Sequence, residues 1–205
     1  MAVERILKSK MFKKFTIAKA IGLILIALGF GLFLISLILN IRQYYSRKNT
    51  VEEYKEYIKS GEAFKEKKGG NPAVSGDMLY ILRIPSIDSE NPVREGVSRD
   101  ILADSLGHQE GTALAGNEGN CVVAGHRNYS FGKFFNRLDE VETGDLIYVD
   151  TATDTYTYMV KEIKVVEPED LSVLESTPGK EQLTLYTCTP IYIATHRLVI
   201  IADRI

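Results

Sequence analysis

The sequence predicts a mainly β body carried behind one membrane-spanning helix. Three observations point there. Residues 20–41 are 22 consecutive positions without a charged side chain. From Asp77 onward, short β-branched runs alternate with Gly-, Pro- and Asn-bearing turns, and only two helical stretches interrupt them. That is the pattern of a closed or sandwiched β-fold. Charge divides at the same place: residues 1–70 hold 14 Lys/Arg against 6 Asp/Glu, and residues 71–205 hold 11 against 21. An acidic body argues against a nucleic-acid surface, which needs cations against phosphates. At 45 % hydrophobic and 25 % charged residues the chain is not a disordered one. Two cysteines do not make a disulfide scaffold.

Four segments follow in order. Residues 1–19 are a basic segment with Arg5, Lys8, Lys10, Lys13, Lys14 and Lys19 against the single acid Glu4. Residues 20–41 are the anchor, long enough as a helix for a hydrocarbon core of about 30 Å. They have no polar face for a surface-lying helix. A cleaved signal peptide is the alternative, but the run is long for one and no small-x-small site follows it. Only Arg42, Arg47 and Lys48 follow closely, so the stronger cationic flank places the N-terminus in the cytoplasm and the body outside the cell. No second apolar span occurs before Ile205. Residues 42–71 read either as a stalk or as a helix packed on the body, with Val51, Tyr54 and Ile58 on one helical face, ended by Gly69-Gly70-Asn71-Pro72.

Residues 72–205 form the body, and their number suffices for one β core. Strands are predicted at Met78–Ile84, Asn120–Ala124, Asp145–Asp150, Thr155–Val166, Glu181–Thr187 and Arg197–Ala202. Helical turns are predicted at Arg99–Leu106 and at Phe131–Leu138, the latter with Phe131, Phe134, Phe135 and Leu138 on one face.

The chemistry concentrates at strand ends. Cys188 closes the run Leu183-Thr184-Leu185-Tyr186-Thr187, where a rigid scaffold presents a side chain to the surface. His126 ends Val122-Val123-Ala124-Gly125, whose glycine lets other groups approach the backbone. Together they make a candidate thiol–imidazole pair. If the last two strands are antiparallel neighbours, Arg197 returns beside Cys188, where a guanidinium can hold a carbonyl and its developing oxyanion. Cys121 lies mid-strand, on the face opposite His126 by period two, and reads as a buried apolar residue. His108 reads as a loop histidine, and His196 alternates away from Arg197. No metal-ligand spacing of the Cys-x-x-Cys or His-x-x-x-His kind occurs. The acids Glu140, Glu142, Glu167, Glu169 and Asp170 admit a calcium site, with an acidic face the preferred reading. Asn128-Tyr129-Ser130 matches a glycosylation sequon of low specificity.

Thr184-Leu185-Tyr186-Thr187-Cys188 followed by Arg197 resembles the Thr-Leu-x-Thr-Cys signature and downstream arginine of sortases, the membrane-anchored cysteine transpeptidases of Gram-positive surfaces. Ala124-Gly125-His126-Arg127 is similar to their histidine strand, and the order of motifs over residues 77–205 fits. The resemblance implies an eight-stranded β-barrel. It implies Cys188 as nucleophile, His126 as general acid/base and Arg197 as the carbonyl and oxyanion partner. Its substrates would be secreted proteins with a Leu-Pro-x-Thr-Gly-like C-terminal sorting signal. The acceptor would be an amine of the cell-wall precursor or a pilin lysine, and no cofactor is required. Candidate substrate-binding residues are Thr187 with Leu171, Val173 and Leu174, the apolar ones forming a groove wall for the leucine-proline part of the signal.

Thr187-Cys188-Thr189-Pro190 and Thr195-His196-Arg197-Leu198 resemble the pilin-polymerising class C. The single N-terminal anchor, with no Asp-Pro-aromatic motif before Met78, is more similar to classes A and D. Protein anchoring to the wall is therefore the expected role, with pilin polymerisation, a hydrolytic cysteine peptidase and a non-catalytic tethered peptide-binding module as alternatives.

Overall fold

A computed structural model describes residues 2–60, 78–127 and 134–205. Two compact units divide at Tyr45/Ser46. The first is formed by helix α1 (Ala2–Ser60) up to that point. It includes the apolar stretch Lys19–Arg42, whose 24 residues are long and apolar enough to cross a membrane.

The second unit begins with the end of α1. Its strands are β1 (Met78–Ile84), β2 (Ser89–Glu95), β3 (Leu106–His108), β4 (Gly119–Ala124), β5 (Leu146–Asp150), β6 (Thr155–Val166), β7 (Glu181–Thr189) and β8 (His196–Arg204), with the short helix α2 (Arg99–Asp104) between β2 and β3. They close into a barrel in the order β1-β2-β3-β4-β7-β8-β6-β5. Closure gives each of these strands two hydrogen-bonded neighbours. β2–β3 and β4–β7 pair in parallel, and the other neighbours are antiparallel.

Period-two alternation decides which side chains fill the barrel. Cys121 and Val123 of β4, Leu183 and Leu185 of β7, and Leu198, Ile200 and Ala202 of β8 belong to its buried core, together with Phe135, Leu138 and Tyr158. The residues between them, including Val122, Thr184 and Val199, are also buried but point to the outer face. The β4-β7-β8 sheet is thus covered on both sides over much of its length. β6 is long enough to serve two partners, because a bulge between Val160 and Glu162 bends it.

The six sequence-predicted strands are present, and β2 and β3 add to them. β2 carries Asn91 and Pro92 and β3 is three residues long, so neither shows an apolar alternation. The predicted helix at 131–138 is corrected over its described part. Phe134 has φ 48°, outside the right-handed helical region, and only a 3₁₀ turn forms at Leu138–Glu140. The aromatic residues were placed by burial rather than by helical period: Phe134, Phe135 and Leu138 all enter the core. Phe131 and the sequon Asn128–Ser130 lie outside the described residues.

Of the two readings of residues 42–71, the packed helix holds for the described end of α1. Val51 and Tyr54 are buried against Ile81 of β1, and the Tyr54 hydroxyl donates to the Leu79 carbonyl at 2.5 Å. Lys55 Nζ reaches Glu90 of β2 at 2.7 Å.

Candidate active site

β7 and β8 are antiparallel, and Cys188 is the direct register partner of Arg197. On the other side β7 runs parallel to β4, with Ala124 opposite Tyr186 and the Gly125 N–H donating to the Tyr186 carbonyl at 3.1 Å. Two residues further along each strand stand His126 and Cys188. Alternation puts His126, Cys188 and Arg197 on the same outer face of three adjacent strands, each partly exposed where the sheet opens. The antiparallel return and the strand-end placement therefore hold as predicted.

Gly125 is where the sheet must be thin. A Cβ there would lie 2.5 Å from a Phe135 ring carbon and 2.6 Å from a Leu106 methyl. Glycine lets the β4 exit press onto the core and turn His126 outward.

The Arg197 guanidinium donates through Nη1 to the carbonyls of His196 (3.1 Å) and Ala194 (3.5 Å). Among the described residues it meets no carboxylate, so its charge stays available to an acyl oxygen. Tyr186 precedes Cys188 by two residues on the same face, and its hydroxyl donates to Gln109 Oε1 at 3.2 Å. Burial raises its phenol above the ordinary value, while the neighbouring Arg197 charge pulls the other way. The other thiol, Cys121, is buried in the core, and burial pushes it up to about 12.

The other sequence-predicted residues divide. Leu171, Val173 and Leu174 lie on the segment between β6 and β7, Leu171 being 68 % exposed and the other two half-buried. Thr187 is different. It is 1 % exposed, and its hydroxyl donates to the Gly125 carbonyl at 2.7 Å. This corrects its placement among substrate-contacting side chains: it faces the barrel and ties β7 to β4. His108 is not a loop residue but the end of β3, buried, with Nδ1 2.8 Å from Glu95 and Nε2 3.0 Å from the Ala113 carbonyl. His196 pairs with Glu167 at 3.3 Å, away from Arg197 as expected. Of the acids considered for calcium, Glu140 is held by Arg137, Glu167 by His196, and Asp170 caps the turn at Ser172.

Two residues of this region escaped the sequence reading. Asn120 is the second residue of β4, within the predicted strand. It is 1 % exposed, and its amide donates to the carbonyls of Val173 (3.0 Å) and Glu175 (3.1 Å) while its oxygen accepts from Thr184 (2.8 Å). A polar residue inside an apolar run was the available sign, since a buried amide must find partners. Arg127 follows His126. Its Nη1 donates to Thr189 Oγ1 at 2.8 Å and its Nη2 lies 2.7 Å from Asp139.

Comparison with known proteins agrees with this geometry. The family model described as the sortase domain matches residues 82–205. Sortase D of Bacillus subtilis is 32 % identical over 134 residues, covering 64 % of this chain and 66 % of that protein. Sortase A of Streptococcus agalactiae is 31 % identical over 126 residues, 60 % of this chain and 51 % of that protein. The chain thus spans less than two thirds of either relative. Among solved structures, a Clostridium perfringens sortase D5 transpeptidase superposes with TM-score 0.64 at 31 % identity, covering 78 % of this chain and 99 % of that one. Sortase C-1 of Streptococcus pneumoniae gives 0.61 at 34 %, covering 68 % and 75 %.

Proposed function

The chain belongs to the sortase family, a family of cysteine transpeptidases, and on that premise we propose that it cleaves a Leu-Pro-x-Thr-Gly-like sorting signal and joins the protein to an amine of the cell wall. The observation that supports this reading is the pairing of Cys188 with Arg197 on β7 and β8, with His126 two residues past Ala124 on the neighbouring β4.

The Cys188 thiolate attacks the threonine carbonyl, and Arg197 stabilises the oxygen as it gains charge. His126, as imidazolium, gives its proton to the leaving amine while the C–N bond breaks, and a thioester remains. An incoming amine then forms the new C–N bond, His126 takes its proton, and the thiolate departs. The thioester conserves the acyl energy, so the cycle balances without a cofactor. Leu171, Val173 and Leu174 would supply the apolar wall for the leucine-proline part of the signal.

Helix Lys19–Arg42 would hold the enzyme in the membrane. The six cations before residue 20 and three soon after residue 41 support a cytoplasmic N-terminus and a body outside the cell, beside substrate and acceptor.

The test is to incubate the full chain with a sorting-signal peptide and a free amine. A ligated product that vanishes in Cys188→Ala supports the proposal, whereas hydrolysis despite excess amine makes the protein a peptidase. Full activity of Cys188→Ala, or cleavage by neither protein, overturns the mechanism. A second acceptor is favoured by the match to sortase C-1 and by the class C-like residues around Cys188 and Arg197: a pilin lysine in place of the wall amine. Ligation to a lysine-bearing protein domain in preference to a wall peptide would select it.

A further inference from the structure

We propose that Arg127 and Thr189 form a clamp that fixes the approach of the Cys188 thiol to the His126 imidazole, an inference that rests on the nucleophile and acid/base roles given to those two residues.

The backbone ladder between β4 and β7 ends before it reaches them. The last paired residues are Ala124 and Tyr186, and the last rung is Gly125 N–H to the Tyr186 carbonyl. His126 and Cys188 thus stand just past the β4–β7 ladder, where the exit of β4 is free to splay from the β7–β8 pair. Side chains take over there, one on each side of the pair. Before it, Thr187 donates to the Gly125 carbonyl at 2.7 Å. After it, Arg127 donates to the Thr189 hydroxyl at 2.8 Å. The links 125–187 and 127–189 bracket 126–188 in one register.

The Arg127 side chain is only 7 % exposed, and its Nε has no partner among the described residues. A guanidinium buried to that degree is an expensive way to cross-link two strands, since desolvation opposes it. Asp139, half-exposed at 2.7 Å, is its one ion-pair partner among the described residues. Asp139 orients the planar fork, and the fork reaches Thr189 from the residue next to His126. Both are positioning residues, and nothing in their geometry calls for contact with the substrate.

A loosened clamp should slow the chemical step while leaving signal binding intact. Thr189→Val removes only the hydroxyl and keeps the shape, and Thr189→Ser restores the acceptor. For Thr189→Val in the full chain, kcat with sorting-signal peptide and amine should fall between about 10- and 100-fold, with KM and Tm little changed. The pH profile of Cys188 alkylation should move, because the clamp no longer fixes where the thiol stands relative to the imidazole. Thr189→Ser should recover both, and Arg127→Lys, which keeps the charge and loses the fork, should resemble Thr189→Val. If Arg127→Lys does not fold, the two Thr189 variants carry the test alone. Wild-type kcat and an unmoved alkylation profile in Thr189→Val overturn the clamp while leaving the transpeptidase reading in place. A wild-type chain that transfers no acyl group refutes that reading instead, and the alkylation profiles of the Thr189 variants then still decide whether the clamp couples Cys188 to His126.

Discussion

The side-chain amide of Asn120 on β4 donates to the carbonyl of Val173, 3.0 Å away, on the segment leading from β6 to β7. A second bond to Glu175 and the acceptance from Thr184 make this one buried side chain the fastening of the proposed groove wall to the barrel. Asn120→Ala leaves buried donors and acceptors unpaired, so we expect a stability loss of about 2–3 kcal/mol. We expect KM for the signal peptide to rise about tenfold with kcat nearly unchanged in the folded fraction. Equal KM in mutant and wild type would detach this segment from substrate binding.

Leu171 offers the converse case. At 68 % exposure it contributes little to the core, so Leu171→Ser should change stability by less than about 0.5 kcal/mol. Peptide titrations should nevertheless show weaker binding if this leucine lines the groove, and identical binding curves would place the pocket elsewhere.

The two thiols should differ sharply in reactivity. Cys188 is partly exposed at a strand end, whereas burial pushes Cys121 up to about 12. Native protein treated with iodoacetamide at pH 8 should take up one label, at Cys188, and denatured protein two. Cys121→Ser should lower Tm yet leave transpeptidation of the folded protein intact. Labelling of Cys121 in the native state would mean that β4 opens far more readily than its packing indicates.

Acid stability should depend on Asp150. Burial opposes its ionised form, but Arg83 (2.5 and 2.9 Å) and the Thr155 hydroxyl (2.8 Å) outweigh it and hold its carboxyl below the usual value. A carboxyl depressed in the folded state stabilises fully above its unfolded pKa of about 3.9. That contribution disappears as pH falls through the lower folded value. Asp150→Asn should therefore lower Tm at pH 7 and flatten the decline of Tm below about pH 4. An acid limb superimposable on that of the wild type would exclude Asp150 as its source.

The end of α1 should behave as part of the body. Tyr54 is buried and bonded to β1, so Tyr54→Phe should cost about 1 kcal/mol and Tyr54→Ala about 3 kcal/mol. Thermal melts of the full chain would measure both. Unaltered melting of Tyr54→Ala would show that this contact contributes nothing to the barrel.

The strands that carry the candidate site residues were legible because each is a run of alternating or wholly apolar residues with a chemical group at its end. Cys188, His126 and Arg197 each stand at such an end, and antiparallel β7–β8 pairing was enough to bring two of them together. β2 and β3 were not legible, since strands holding Asn91 and Pro92, or only three residues, derive their form from neighbours rather than from their own pattern. Thr187 was misplaced because signature residues next to a nucleophile look like substrate contacts, while period two turns this one inward. Arg127 and Asn120 were missed for a related reason. Their partners, Thr189 and the Val173–Glu175 backbone, are more than 50 residues away in the chain, and one sequence does not reveal such pairings.

The parallel pairing of β4 with β7 also bears on how the protein comes to be active. The residues tied at Gly125–Thr187 and Arg127–Thr189 are 62 positions apart in both cases. Closing so long a loop is entropically unfavourable until other contacts reward it, which makes such pairings late events in folding. With the proposed orientation, a chain emerging unfolded outside the membrane would carry its Cys188 thiol before the proposed His126 partner is in place. The proposed nucleophile would lack its acid/base partner until the barrel closed. Timing of this kind separates the appearance of chemistry from the passage of the polypeptide, and it makes catalytic competence a report on completed topology.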